Sequence, residues 1–328
     1  RFQYQTTMVT AAGLAVGEAA GQPWQDFVQK RLFDPLGMTA SCFTSTAAAK
    51  AADRAIGHRL NRFGKPEVVD YYPQEFPDPA GSIQSTARDL SKWALFQLGD
   101  GRWNDQRIVS AANLAETHTP QMVVRLEGLE RDLHPETVQM SYGMGWVLES
   151  YRGVGLCSHA GAIDGFRAHI TLIPEKKIGI VLLNNLQNTR MNLALSNSLV
   201  DLLLDLPRKD WNGLFREAVR KDEEAAMGRA REREARRARD TTPSRELAAY
   251  AGVYENPAYG TVRVTLEKGK LVWTWNRFTT PLEHYEYDTF MAPLDLLHSP
   301  LIAFSLNADG AVDAMRVSEP MGAEFRRK

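Results

Sequence analysis

Proton transfer beside an open backbone is what His159-Ala160-Gly161-Ala162-Ile163-Asp164-Gly165-Phe166 offers. A histidine titrates near neutral pH and can donate a hydrogen bond or move a proton. The glycines let backbone approach a ligand closely. Taken alone, one histidine beside glycine reads as a turn. Other chemistries find less support. The two cysteines, Cys42 and Cys157, form no C-x-x-C pair, so a thiolate zinc site is not indicated. Two small buried thiols is a plainer reading than a disulfide. The formal net charge of −1 makes no electrostatic case for nucleic acid or an anionic membrane. No apolar run reaches membrane-spanning length, and no signal peptide is visible. The composition, 44% hydrophobic and 24% charged, is that of a globular protein with room for two domains.

The elements that must position this segment are legible in the periodicity. Residues from Thr7 to Ala20 are rich in Ala, Leu and Val and suit a buried helix, with Gly21 as its stop. Trp24, Phe27, Val28, Arg31 and Leu32 recur at helical spacing, ending at Pro35-Leu36-Gly37-Met38. Residues 44 to 82 read as irregular, with Pro73, Pro77 and Pro79 at the end. Ser85 or Thr86 caps a further helix, and Asp89 three residues after Thr86 predicts a near capping box. Leu90, Trp93, Ala94 and Leu98 form its apolar face. From 140 to 185 strand signals dominate. Tyr142 to Leu148 leads to a turn at Arg152-Gly153, and His169–Pro174 and Ile178–Leu183 form a hairpin about Glu175-Lys176-Lys177. Helix returns over 193 to 204. Arg216 to Arg239 is nearly all alanine and mixed charge, which predicts a solvated helical linker rather than a nucleic-acid arm. The remainder is aromatic and β-branched with frequent turns, a small antiparallel β-domain in which Trp273, Trp275 and Phe278 are strand packing. The expected division is 1–210, a linker over 211–244, and 245–328.

The histidine segment does not stand alone. Before it lie Pro79-Ala80-Gly81-Ser82-Ile83-Gln84-Ser85-Thr86-Ala87-Arg88-Asp89-Leu90 and Tyr142-Gly143-Met144-Gly145-Trp146; after it come Leu172-Ile173-Pro174-Glu175 and Gly179 to Asn185. In order and spacing these resemble the segments of the serine-β-lactamase-like hydrolases, the broad family of class C β-lactamases, D-aminopeptidases and carboxylesterases. The resemblance covers about residues 1 to 205. It implies an α+β fold, an antiparallel sheet flanked by helices, incomplete at its N-terminus and followed by a small β-barrel or sandwich. It also implies acyl transfer through a serine ester. Tyr4 falls on the family's motif tyrosine. Thr6 stands where asparagine is usual, and lacks an amide's carbonyl and two N–H donors. His159-Ala160-Gly161 occupies the place of Lys-x-Gly, which implies the Ala162 N–H as an oxyanion donor and Thr6, Ala160, Gly161 and Ala162 as substrate contacts. A tyrosine has an ordinary pKa of about 10, so Tyr4 acts as a base only where nearby positive charge lowers it. Histidine in place of lysine inclines the expectation toward peptide, amide or ester substrates over β-lactams.

The nucleophile motif, Ser-x-x-Lys, is absent. Ser85-Thr86-Ala87-Arg88 ends in arginine, which does not act as a base. Thr265-Leu266-Glu267-Lys268 has the spacing but falls in the β-domain. Since the motif precedes the tyrosine in this family, the expectation is that the numbered chain begins partway through the catalytic domain. The missing segment would then be a partner as a separate chain or a truncated portion, and the isolated chain would expose apolar surface. The resemblance further implies a small-molecule or peptide substrate, no metal or organic cofactor, and a periplasmic or secreted location. A non-catalytic binding or regulatory relative is the competing expectation.

Overall fold

The structure, a computed structural model, describes residues 2–61, 64–69, 74, 76–187, 189–276, 278–294, 299–318 and 321–328. Pro73 of the irregular stretch lies outside them. The chain divides into two units, Arg1–Glu223 and Glu224–Lys328.

In the first unit, helix α1 (Thr6–Ala20) ends at Gly21 in the left-handed conformation. α2 (Trp24–Val28) runs on through a π-turn at Gln29–Phe33 to Asp34–Leu36. The expectation that α1 is buried fails. Met8, Val9, Leu14 and Val16 are exposed, and Gly17 alone is buried. The helix packs through its small residues. A Cβ on Gly13 would meet the Pro79 ring at 2.3 Å, and one on Gly17 would meet Trp24 N at 3.1 Å. One helical turn apart, these glycines let the backbone close in and turn the larger apolar side chains outward.

α3 (Ala87–Leu98) is capped by Thr86, whose hydroxyl accepts from Asp89 N at 3.2 Å. The near capping box does not form. The Asp89 carboxylate, 2% exposed, instead accepts from Ala40 N at 2.8 Å, Ser41 Oγ at 2.9 Å and Lys92 Nζ at 3.0 Å. Burial works to raise its pKa, yet these donors outweigh it and hold the carboxyl below its ordinary value. Within the irregular stretch, Ser45–Ala48 forms one helical turn and His58–Leu60 pairs with Pro66–Val68.

Among the described residues, a six-stranded antiparallel sheet carries the unit: β1 (Met122–Val124), β2 (Thr137–Tyr142), β3 (Val147–Tyr151), β4 (Val154–Ile163), β5 (Phe166–Ile173) and β6 (Ile178–Asn184), in spatial order β6-β5-β4-β3-β2-β1. Tyr142 to Leu148 is therefore not one strand. Gly143 N donates to Trp146 O at 2.8 Å, turning the chain between β2 and β3. Opposed residues Leu148, Cys157 and Leu172 cluster with Ala94 and Leu98 of α3. Leu156, Ile173 and Ile180 cluster instead with Ala194 and Val200 of α4 (Met191–Leu203) and with Trp211 and Phe215. The last two begin α5 (Trp211–Arg236), whose later residues are almost wholly charged or small. Buried Asp201 accepts from Tyr151 Oη, Trp211 Nε1 and Arg152 Nη1 at 2.8, 2.7 and 2.8 Å. Cys42 and Cys157 are free thiols.

The second unit is an antiparallel sheet of nine strands among the described residues, nearly closed into a barrel. Its interior is filled by Tyr250, Tyr254, Trp273, Phe290, Ile302 and Phe325. Trp275 stacks on Phe278 at 6.0 Å, and its indole N–H donates to Tyr259 O at 2.9 Å.

Candidate active site

Sheet register puts the histidine segment at an open edge. Val147, the first residue of β3, pairs with Ser158. From His159 to Ile163, β4 continues five residues past that point, paired to β5 on one side. No strand among the described residues pairs with its other side. Ala160, Gly161, Ala162 and Ile163 are all exposed. The overhang ends in a two-residue hairpin turn, Asp164 (φ 34°) and Gly165 (φ 86°), the Asp-Gly signature of a tight turn with both central residues left-handed. A Cβ on Gly165 would sit 2.6 Å from His58 N, so the tip is held against the Gly57-His58 backbone.

His159 sits where the open edge begins, among aromatic rings. Its Nε2 lies 3.2 Å from Tyr142 Oη, at the end of β2. The ring centroids of Tyr4 and His159 are 6.2 Å apart, those of Tyr4 and Tyr142 6.0 Å, and those of Phe2 and Tyr142 5.2 Å. Gly143 anchors the approach of Tyr142: a Cβ there would meet the Thr117 and Thr119 carbonyl oxygens at 2.6 and 3.0 Å.

Burial lowers the His159 pKa, with the Ala160 carbonyl opposing it, so the imidazole is neutral at pH 7. Burial first, and then Tyr4, push Tyr142 up to about 12. Two uncharged hydrogen-bonding groups thus face each other. Behind them His169, opposite Ala160 on β5, is pushed down to about 4 by burial, against the pull of Glu149. Among the described residues, no group of three or more His, Cys, Asp or Glu could hold a metal ion, and no helix is long and apolar enough to cross a membrane.

Of the residues singled out in the sequence, Tyr4, His159, Ala160, Gly161 and Ala162 come together at this edge. Thr6 does not share these contacts. It opens α1, exposed, and its carbonyl accepts from Thr10 Oγ1 at 3.4 Å. The sequence reading overlooked Tyr142 as a neighbour of His159, and Phe2 as a neighbour of Tyr142. Tyr142 opens the Tyr142–Trp146 segment, whose resemblance assigned it no role. Its signal was its place before Gly143, where a strand must turn.

A model of the Beta-lactamase family matches residues 1–204, and the chain belongs to that family. A domain of unknown function (DUF3471) matches residues 236–327. The chain is 27% identical over 358 residues to unguisins hydrolase ungD of Aspergillus violaceofuscus, covering 98% of this chain and 62% of that protein. It is 30% identical over 186 residues to penicillin-binding protein 4 of Amycolatopsis lactamdurans, covering 56% of this chain and 46% of that protein. The octameric penicillin-binding protein homologue from Pyrococcus abyssi shares the fold, with a TM-score of 0.54 at 22% identity over 99% of this chain and 65% of that one. The chain thus spans less than two thirds of each of these relatives.

Proposed function

We propose that these residues form most of a serine hydrolase that works through an acyl-enzyme on peptide, amide or ester substrates. The observation that carries this reading is the open edge of β4, where neutral His159 stands beside Tyr4 at the head of four exposed backbone units. Acyl transfer needs a nucleophile, a base and donors for the oxyanion. On this reading the Ala162 N–H is an oxyanion donor, Tyr4 aids the base and His159 contacts substrate. The nucleophilic serine and its lysine are not supplied by a Ser-x-x-Lys segment of these 328 residues, which contain none. That lysine would supply the positive charge that a tyrosine base requires. A neutral imidazole offers no fixed charge to a substrate carboxylate, which favours neutral substrates over β-lactams.

The test is to treat the full-length gene product with a fluorophosphonate probe and map the adduct. Labelling of a serine in a Ser-x-x-Lys segment, slowed in Tyr4→Phe and His159→Ala, is the expected result. Folded protein that takes up no probe would sink the hydrolase reading. It would leave a binding or regulatory relative, which the lack of Ser-x-x-Lys within this chain favours. Turnover of a chromogenic cephalosporin as fast as of an ester would overturn the substrate preference.

A further inference from the structure

We infer that Gly57 is a positioning residue of this site: its backbone, pressed against the Asp164-Gly165 turn, fixes where the free end of β4 lies, and the Ala162 N–H with it. The inference rests on the hydrolase reading above for its kinetic consequence, but not for its structural one.

The end of β4 needs holding. Among the described residues, its last five pair only with β5, and a ladder with few partners opens first. Gly57 and Gly165 are both buried, and they meet backbone to backbone. A Cβ on Gly165 would lie 2.7 Å from the Gly57 Cα and carbonyl carbon. A Cβ on Gly57 would lie 2.4 Å from Asp164 O and 2.8 Å from Phe166 Cε2. The two positions are glycine for different reasons. Gly165 has a φ of 86°, which the turn requires. Gly57 has no left-handed φ, so close approach alone demands glycine there.

The segment that presses on the turn is itself tied down. Asn185 Nδ2 donates to Ile56 O at 2.8 Å. His58 N donates to Asn185 O at 2.9 Å, and Gln187 N donates to His58 O at 2.8 Å. Val69 N donates to Gly57 O at 2.9 Å. Residues 56–58 thus form a strap from the β4–β5 turn to the chain leaving β6, where His58 bridges Leu186. Because β6 belongs to the same sheet, the strap sets the turn relative to the body of that sheet. Ala162 stands two residues before the turn and is carried with it. Gly57→Ala would add one methyl. Ordinary contact is about 3.5 Å, so Asp164 O must retreat by roughly 1 Å, and a misplacement on that scale can cost about a hundredfold in rate.

The experiment compares Gly57→Ala, Asn185→Ala and Gly153→Ala in the full-length protein. Gly153 turns the other end of β4 with a φ of 83° and nothing within 4 Å of its Cβ position. Its alanine variant weakens the fold without touching the strap. Amide chemical shifts and hydrogen exchange over Ala160–Ile163 are read beside Tm and the kinetics of a p-nitrophenyl ester. In Gly57→Ala the shifts should move and exchange quicken. Its kcat should fall roughly a hundredfold with KM little changed, the pattern of a contact made only in the transition state. Asn185→Ala should show the same changes in smaller measure, and it decides the matter if Gly57→Ala does not fold. Gly153→Ala should show neither change. Unmoved Ala160–Ile163 amides, a native kcat in Gly57→Ala, or an equal fall in Gly153→Ala at matched Tm overturns the inference. If the native protein turns over no ester, the hydrolase reading fails, and the amide signals alone uphold or overturn the role of Gly57.

Discussion

At the residue scale, burial and hydrogen-bond partners set the charge states, and the sequence carries neither. A histidine in place of lysine was visible. Its neutrality was not, because burial lowers its pKa and burial depends on elements from separate parts of the chain. His159→Lys would put a fixed charge at this edge. The expected outcome is a rise in kcat/KM for esters bearing a carboxylate relative to neutral ones, checked by competition between the two. His169 makes a second prediction, about stability. Burial drops its pKa from 6.5 to about 4, so the unfolded chain protonates first as pH falls. Stability is full above about pH 6.5 and declines toward pH 4, because the unfolded state binds more protons there. Tm measured across that window should fall, and His169→Gln should flatten part of the decline. Glu149 acts lower on the scale. Burial would raise its pKa, but His134 and Thr137 hold it below 4.5, so its contribution disappears only as pH drops through that lowered value.

At the scale of elements, periodicity located the helices α1 to α5 and the hairpin of β5 and β6. It misplaced what depends on packing. α1 is apolar enough to look buried, yet Gly13 and Gly17 choose the inward face. Asp89 sits at capping-box spacing, yet Ala40, Ser41 and Lys92 claim its carboxylate. The Tyr142–Leu148 run divides because Gly143 is seated between two carbonyl oxygens. Gly143→Ala would force a methyl into backbone that has little room to yield. A loss of about 1–3 kcal/mol is expected, read as a lower Tm. Asp201→Ala would strand Arg152, Tyr151 and Trp211 at the junction of β3, α4 and α5. Removing one member of a buried charge pair costs about 3–5 kcal/mol, so denaturant midpoints should shift well below those of the native chain.

At the scale of the whole molecule, the change from mixed helix and strand to aromatic-rich strands near Arg245 was plain in the sequence. So was the family, because its ordered segments span the sheet and the helices beside it. The exposed face of α1 bears on behaviour in solution. Met8 is 66% and Leu14 58% exposed, and exposed apolar patches of this kind drive association. The 328-residue chain should self-associate in sedimentation velocity, and Leu14→Glu should shift it toward monomer. The β4 overhang adds a hazard of another sort. Unpaired strand backbone recruits any extended chain, a neighbouring copy of the protein included. If the edge works as proposed, catalysis and aggregation draw on one set of amide groups, and a mutation that protects the edge from other copies would also close it to substrate.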